Sequence, residues 1–175
     1  NCMDEVALVL DLLDNQWSTS ATTLVNAGTI TASHVAKPNL VDVRSLEKNK
    51  GVRYDLSTKD VIVVFEDSNT IEYPTILYDV RNESFSFTLH IRCIHDERAV
   101  GSGGTDANFG KDRLRALYLI LRHAIESKRK GYQASDGSKF NLLFLGNRNE
   151  ANDRNKRLFG YKVNLEAKRY AQTIP

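Results

Sequence analysis

Ser84–His95, SFSFTLHIRCIH, is the stretch whose reading decides the fold. Phe85, Phe87, Leu89, Ile91 and Cys93 fall on one side of an extended chain; Ser84, Ser86, Thr88, His90 and Arg92 fall on the other. Alternation with period two means a strand with one face in a core and one in water. A second stretch, Leu158 to Tyr170, repeats the pattern, with Phe159, Tyr161, Val163, Leu165 and Ala167 inward and Lys162, Asn164, Glu166 and Lys168 outward. Two such strands need an apolar layer against one face only, which amphipathic helices supply.

Two segments have the required helical period. Between Asp4 and Trp17, Val6, Val9, Leu10, Leu13 and Trp17 recur at i, i+3 and i+4, with acidic residues in the first turn, and the polar run Ser18-Thr19-Ser20 is expected to end the helix. Ala21 to Ser33 then reads as a loop with a short strand. Lys111 to Lys130 carries Leu114, Leu117, Tyr118, Leu121, Ala124 and Ile125 on one stripe, with Lys128, Arg129 and Lys130 in its last turn and Gly131 to stop it.

The remaining strands are shorter. One begins after Pro38 and reaches Arg44; Val61–Phe65 (VIVVF) reads as a central strand covered on both faces; Phe140 to Leu145 is another. Residues 45–59 form a long polar loop between strands, and residues 146–157 a polar hairpin tip. Without repeats or low-complexity linkers, residues 1–175 read as a single α+β domain, with a mostly antiparallel or mixed sheet and two principal amphipathic helices on one face.

Composition narrows the function classes. The 24 Lys and Arg against 22 Asp and Glu give a net charge of +2, too balanced for a dedicated nucleic-acid or membrane-surface binder. No apolar run approaches the roughly 20 residues of a membrane span, and no signal-peptide pattern opens the sequence. Cys2 and Cys93 make neither a disulfide framework nor a zinc site.

Each chemical motif meets a plainer explanation. Gly101-Ser-Gly-Gly104 precedes a helix, but Gly110-Lys111 is followed by Asp112 rather than the hydroxyl residue of a phosphate-binding loop. His90 lies on the opposite strand face from Cys93 and His95, so the three cannot ligate one metal. His34 and His123 stand alone, and a Ser-His or Cys-His pair has no support from the sequence. Glu166 and Lys168 share a strand face, as in metal-dependent nucleases, with Asp60, Glu66 or Asp79 as second-carboxylate candidates; a solvated strand face produces the same pair. We therefore expect no catalytic, cofactor-binding or metal-binding residues, and no enzyme.

Basic residues on the second helix (Lys111, Arg113, Arg115, Arg122, Lys128, Arg129, Lys130) read as a solvated face, or as a surface meeting the acidic first helix between copies. That makes Asp11, Asp14, Arg115 and Arg122 candidate inter-subunit residues.

From the opening helix to Ala171 the order of elements is Lys37-Pro38-Asn39-Leu40, DVIVVFED (60–67), Ile71-Glu-Tyr-Pro74, YDVRNESFSFTLHIRC (78–93), DRLRALYLILRHAIESKR (112–129) and KRLFGYKVNLEAKRYA (156–171). This arrangement resembles the tail terminator (tail-completion, minor tail) proteins of long-tailed phages and archaeal tailed viruses. The resemblance implies a small α+β sandwich with two helices. It further implies a homo-oligomeric ring, a hexamer in the family, which caps the head-proximal end of the tail tube and stops its polymerisation. The tail tube protein and the head–tail connector or neck proteins would be its partners. Viral DNA would only pass through the lumen, no membrane would be involved, and the protein would sit in the virion neck after assembly in the host cytoplasm. The candidate tube-contact residues are Lys48, Lys50, Arg53 and Tyr54 in the long loop, and Arg148, Arg154, Lys156 and Arg157 in the hairpin tip. The Gly-rich loop and the long last hairpin depart from the pattern and leave a head–tail connector as the alternative.

Overall fold

The structure is a computed structural model that describes residues 3–44, 60–74, 80–94, 98–100, 104–106, 109–152 and 158–172. The 45–59 loop, with Lys48, Lys50, Arg53 and Tyr54, lies outside the described residues, as do Asp79, His95, Arg154, Lys156 and Arg157.

Helix α1 spans Glu5–Asn26, capped by Asp4, whose Oδ1 accepts from the Ala7 amide at 2.8 Å. It does not end at Ser18–Ser20. Ser18 and Thr19 face solvent while Ser20 and Ala21 rotate into the core, and Thr23 Oγ1 donates back to the Thr19 carbonyl at 2.8 Å. Tertiary packing thus carries the helix through a run of weak helix formers. The helix stops where Gly28 takes a φ of +75°, with the Thr29 amide bonded to Leu24 O and the Gly28 amide to Val25 O. That pair of bonds is a Schellman termination, which favours glycine at its left-handed position. The expected loop-and-strand segment is therefore helical to Asn26, followed by a 3-10 turn at Ala32–His34.

A five-stranded sheet follows, built from β1 (Asn39–Asp42), β2 (Val61–Glu72), β3 (Val80–Ile94), β8 (Leu142–Glu150) and β9 (Leu158–Gln172). Its order is β1-β2-β3-β9-β8, with β1 parallel to β2 and every other neighbour antiparallel. Between β3 and helix α2 (Phe109–Ser127) come the short strands β4 (Arg98–Val100) and β5 (Gly104–Asp106), which pair with each other within the expected Gly-rich loop. A second small pair, β6 (Tyr132–Gln133) and β7 (Lys139–Phe140), follows α2. The expected Phe140–Leu145 strand is split at Asn141 between β7 and β8. Helix α2 begins at Phe109 and ends at Ser127, so Lys128, Arg129 and Lys130 lie in the turn beyond it rather than in its last turn.

Both helices cover one face of the sheet. Of the inward residues read from β3 and β9, Phe85, Phe87, Leu89, Ile91 and Cys93, with Val163, Leu165 and Ala167, are buried in a cluster with α1 and α2 side chains, while Phe159 and Tyr161 pack against it partly buried. Ile62 and Val64 of β2 join that cluster, while Val61 and Val63 join Val41 in a smaller cluster on the opposite face. This is the two-sided burial expected of VIVVF. The α+β class with helices on one face is what the sequence indicates.

Two bulges shift the register. Asp67 is the extra residue between the Glu66–Phe87 and Ser68–Ser86 pairs, and Gly146–Asn147 interrupt β8 between the Leu145–Leu165 and Arg148–Val163 pairs. Bulges re-aim the side chains beyond them. No helix among the described residues is long and apolar enough to cross a membrane.

Candidate interaction surface

Arg113, expected on a solvated helix face, is 4% exposed. Its Nε donates to Asp60 Oδ2 at 2.9 Å, and its Nη1 and Nη2 donate to the carbonyls of His34 and Ala36. Helix α2 thereby grips the connection leading into β1 and the residue preceding β2. A fork of fixed N–H donors suits this job better than an ammonium.

His123 is not alone: its Nδ1 lies 2.9 Å from Oγ of Ser20 across the α1–α2 contact. Ser20 is 1% exposed and lines neither of the two clefts beside α1, so the pair reads as a satisfied interhelical hydrogen bond rather than a nucleophile and its base.

Three of the four candidate inter-subunit residues are engaged within the chain. Asp11 accepts from Tyr132 Oη and Asn15 Nδ2, and the Tyr132 hydroxyl is pushed up to about 12 by burial and by that bond. Asp14 pairs with Lys37, and Arg122 with Glu126 one turn on at 3.0 Å. Arg115 is exposed on α2 and makes no ion pair among the described residues. These exposed pairs contribute at most about 1 kcal/mol each, so they remain available to a partner.

Arg148, expected in the exposed tip, is held by its own chain. Residues 146–150 belong to β8, and the bulge turns Arg148 toward α2, where its guanidinium lies 4.6 Å from the ring centroids of both Tyr118 and Tyr161.

Glu166 and Lys168 lie on the sheet face away from the helices, opposite Ser86 and Ser84 of β3. Of the second-carboxylate candidates, the two that lie among the described residues are elsewhere. Asp60 is bonded to Arg113, and Glu66 is paired with the inward-facing Phe87 on the helix side. Among the described residues no three His, Cys, Asp or Glu side chains are grouped to hold a metal ion.

A cleft of about 300 Å³ lies between Val6, Arg44 and Glu66–Asn69 of β2, and two more flank the second half of α1. One of about 460 Å³ is walled by Trp17, Ala21, Val25, Ala32 and Val35, and another of about 270 Å³ lies between Gly28–Thr31 and the start of α2, beside Asp112 and Arg115. Neither brings together a nucleophile, a base and an oxyanion donor.

The outer sheet face holds one perturbed group. His90 sits opposite Lys162 with Arg92 two residues on, and its ring centroid is 4.9 Å from that of Phe65. Burial first, then Lys162 and Arg92, hold its pKa down to about 4, against a weaker pull from Asp67. An unfolded histidine titrates near 6.5, so the unfolded chain binds more protons between pH 6.5 and 4. Stability is therefore expected to fall as the pH drops through this window, by roughly 1–2 kcal/mol after allowing for solvent screening of a half-buried group. Urea titrations of the wild type and His90→Gln check this: an equal loss in both would show that His90 contributes nothing.

No protein-family model matches this chain, and no curated protein sequence matches it either.

Proposed function

We propose that this protein is a structural component of a tailed virus particle: a ring-forming tail terminator that caps the head-proximal end of the tail tube and offers the docking surface for the head connector. The observation that carries the reading is architectural. A mixed sheet backed on one face by two helices, in the order helix, strands, helix, closing strand pair, is the arrangement that the resemblance implies. The placing of Glu166 on the sheet face away from the helices, with Asp60 bonded to Arg113 and Glu66 on the helix side, supports a non-enzymatic role in this reading. In this reading the protein acts in the virion neck, touching its own copies, the tube subunit and the connector, while DNA passes through the lumen.

Electron microscopy of particles from a virus lacking the gene tests it. Headless tails of abnormally great length are the expected result. Headless tails of normal length would move the protein to the connector step, and normal infectious particles would overturn the structural reading. In the last case, Mg²⁺-dependent DNA cleavage lost in Glu166→Ala and Lys168→Ala would assign the nuclease instead.

A further inference from the structure

We infer that copies of this chain join edge to edge, the far half of β2 in one copy adding to β8 of the next. Among the described residues, the five-stranded sheet is open at two places on opposite sides. β1 pairs only with Val61–Val64, so beyond Phe65 no described strand lies beside β2 on that side; Val43 and Arg44 face Glu66–Asn69 across a cleft of about 300 Å³, and the side chains from Glu66 to Glu72 are all exposed. At the other side β8 has β9 as its only described strand neighbour, and its residues from Gly146 to Glu150 are exposed. The Leu143 amide is capped by the Arg129 carbonyl, which limits the open part of β8 to the residues beyond it. Seven residues of β2 span about 23 Å, and alternate residues along them turn their N–H and C=O away from β3, the groups that an added strand would use.

Side chains at these edges point to the same conclusion. Of the four large apolar residues exposed among those described, Ile71 (47%) and Tyr73 (46%) lie on or just past the open half of β2, and Phe144 (40%) lies on β8. Each edge also carries a bulge and charged side chains, devices that discourage pairing with a strand that does not match them.

Charge selects which edge meets which. The open half of β2 carries Glu66, Asp67 and Glu72 and no base, so two β2 edges would set carboxylates against carboxylates. The β8 side carries Arg148, with Lys162 and Lys168 on the adjoining β9, against Glu150 and Glu166. Pairing β2 with β8 joins a net acidic edge to a net basic one. Because β2 and β8 run in opposite directions within the sheet, rotation about an axis along the strands brings them together antiparallel. Such an interface is heterologous and leaves each copy with one edge still to fill, so it builds a closed ring or a filament rather than a dimer.

Sedimentation equilibrium of the full chain and two variants tests this. Ile71→Lys places a cation where the basic edge docks, and Phe144→Glu an anion where the acidic edge docks. The wild type is expected to form species larger than a dimer, and each variant alone to associate at least tenfold more weakly with an unchanged circular dichroism spectrum. The decisive sample is the equimolar mixture, which is expected to regain species larger than a dimer, since each variant keeps the edge that the other lacks and the two introduced charges are opposite in sign where the altered edges meet; a mixture that associates no better than either variant would overturn the proposal. Should either variant fail to fold, Thr70→Lys and Asn147→Glu address the same exposed edges. A wild type that stays monomeric to about 1 mM, variants that assemble like the wild type, or variants that form homodimers would overturn the proposal. It rests on the ring reading only in expecting copies to associate. A protein monomeric in solution whose loss still gives overlong tails would sink this inference and leave that reading standing.

Discussion

Arg113→Ala is expected to cost about 3–5 kcal/mol of folding stability, the loss typical of removing one member of a buried ion pair. The guanidinium holds together three parts of the chain that are distant in sequence: the 3-10 turn through the His34 carbonyl, the approach to β1 through the Ala36 carbonyl, and Asp60 at the entry to β2. Truncation takes this donor away from a carboxylate whose side chain is only 10% exposed and from two carbonyls. Arg113→Lys keeps the charge but loses the planar fork, and is expected to recover less than half of the loss. Urea denaturation of the three proteins decides the matter. A loss under 1 kcal/mol for Arg113→Ala would mean that the clamp is incidental to the fold.

A loss of comparable size is expected from Phe87→Ala, roughly 3–5 kcal/mol, with roughly 2–5 kcal/mol for Leu165→Ala. The two residues are direct cross-strand partners in the β3–β9 register, and both are fully buried. The Phe87 ring also sits 6.1 Å from that of Phe140 in an edge-on arrangement and 6.4 Å from that of Phe85. Removing it opens a cavity between the central strands and the helix layer, at a place where neighbours on every side limit collapse. Since the two side chains share one cavity, the double variant should depart from additivity by about 0.5–3 kcal/mol. Negligible losses at both positions would mean that the sheet faces are inverted.

How far the sequence reaches can be judged from particular elements. Phe85 to Cys93 and Val163 to Ala167 announce their buried face, because side-chain alternation in a strand is a local property of the extended backbone. The stripe on α2 is legible for the same reason, except that Ile120, fully buried, was not counted in it. Ser18 to Ser20 do not end the helix as their composition suggests, because helix propensity is weak and packing against α2 overrides it. The signal for the true end was present in Ala27-Gly28, where glycine suits the left-handed termination. For β2 the reading stopped at Phe65, where the apolar run ends. The strand continues to Glu72 because β3 lies alongside to pair with it, and the polar half is detected by its partner rather than by its own residues.

The candidate surface was less legible than the fold. Arg113 and Arg115 are two residues apart in an α-helix and look alike as letters, yet the helix turns one into the core and leaves the other in water. Ser20 and His123 are 103 residues apart in sequence and meet only because α1 packs on α2. Arg148 reads as a charge in a polar tip until a bulge turns it between two tyrosine rings. By itself, then, the sequence determined the elements with strong periodicity, their inward faces and the α+β class, since these follow from backbone geometry and solvent alone. Only the tertiary structure decided strand order, the parallel β1–β2 pair, the two open edges and the partner of each buried charge. Those depend on which distant segments meet, and that is settled by long-range packing, to which no local spacing of residues corresponds.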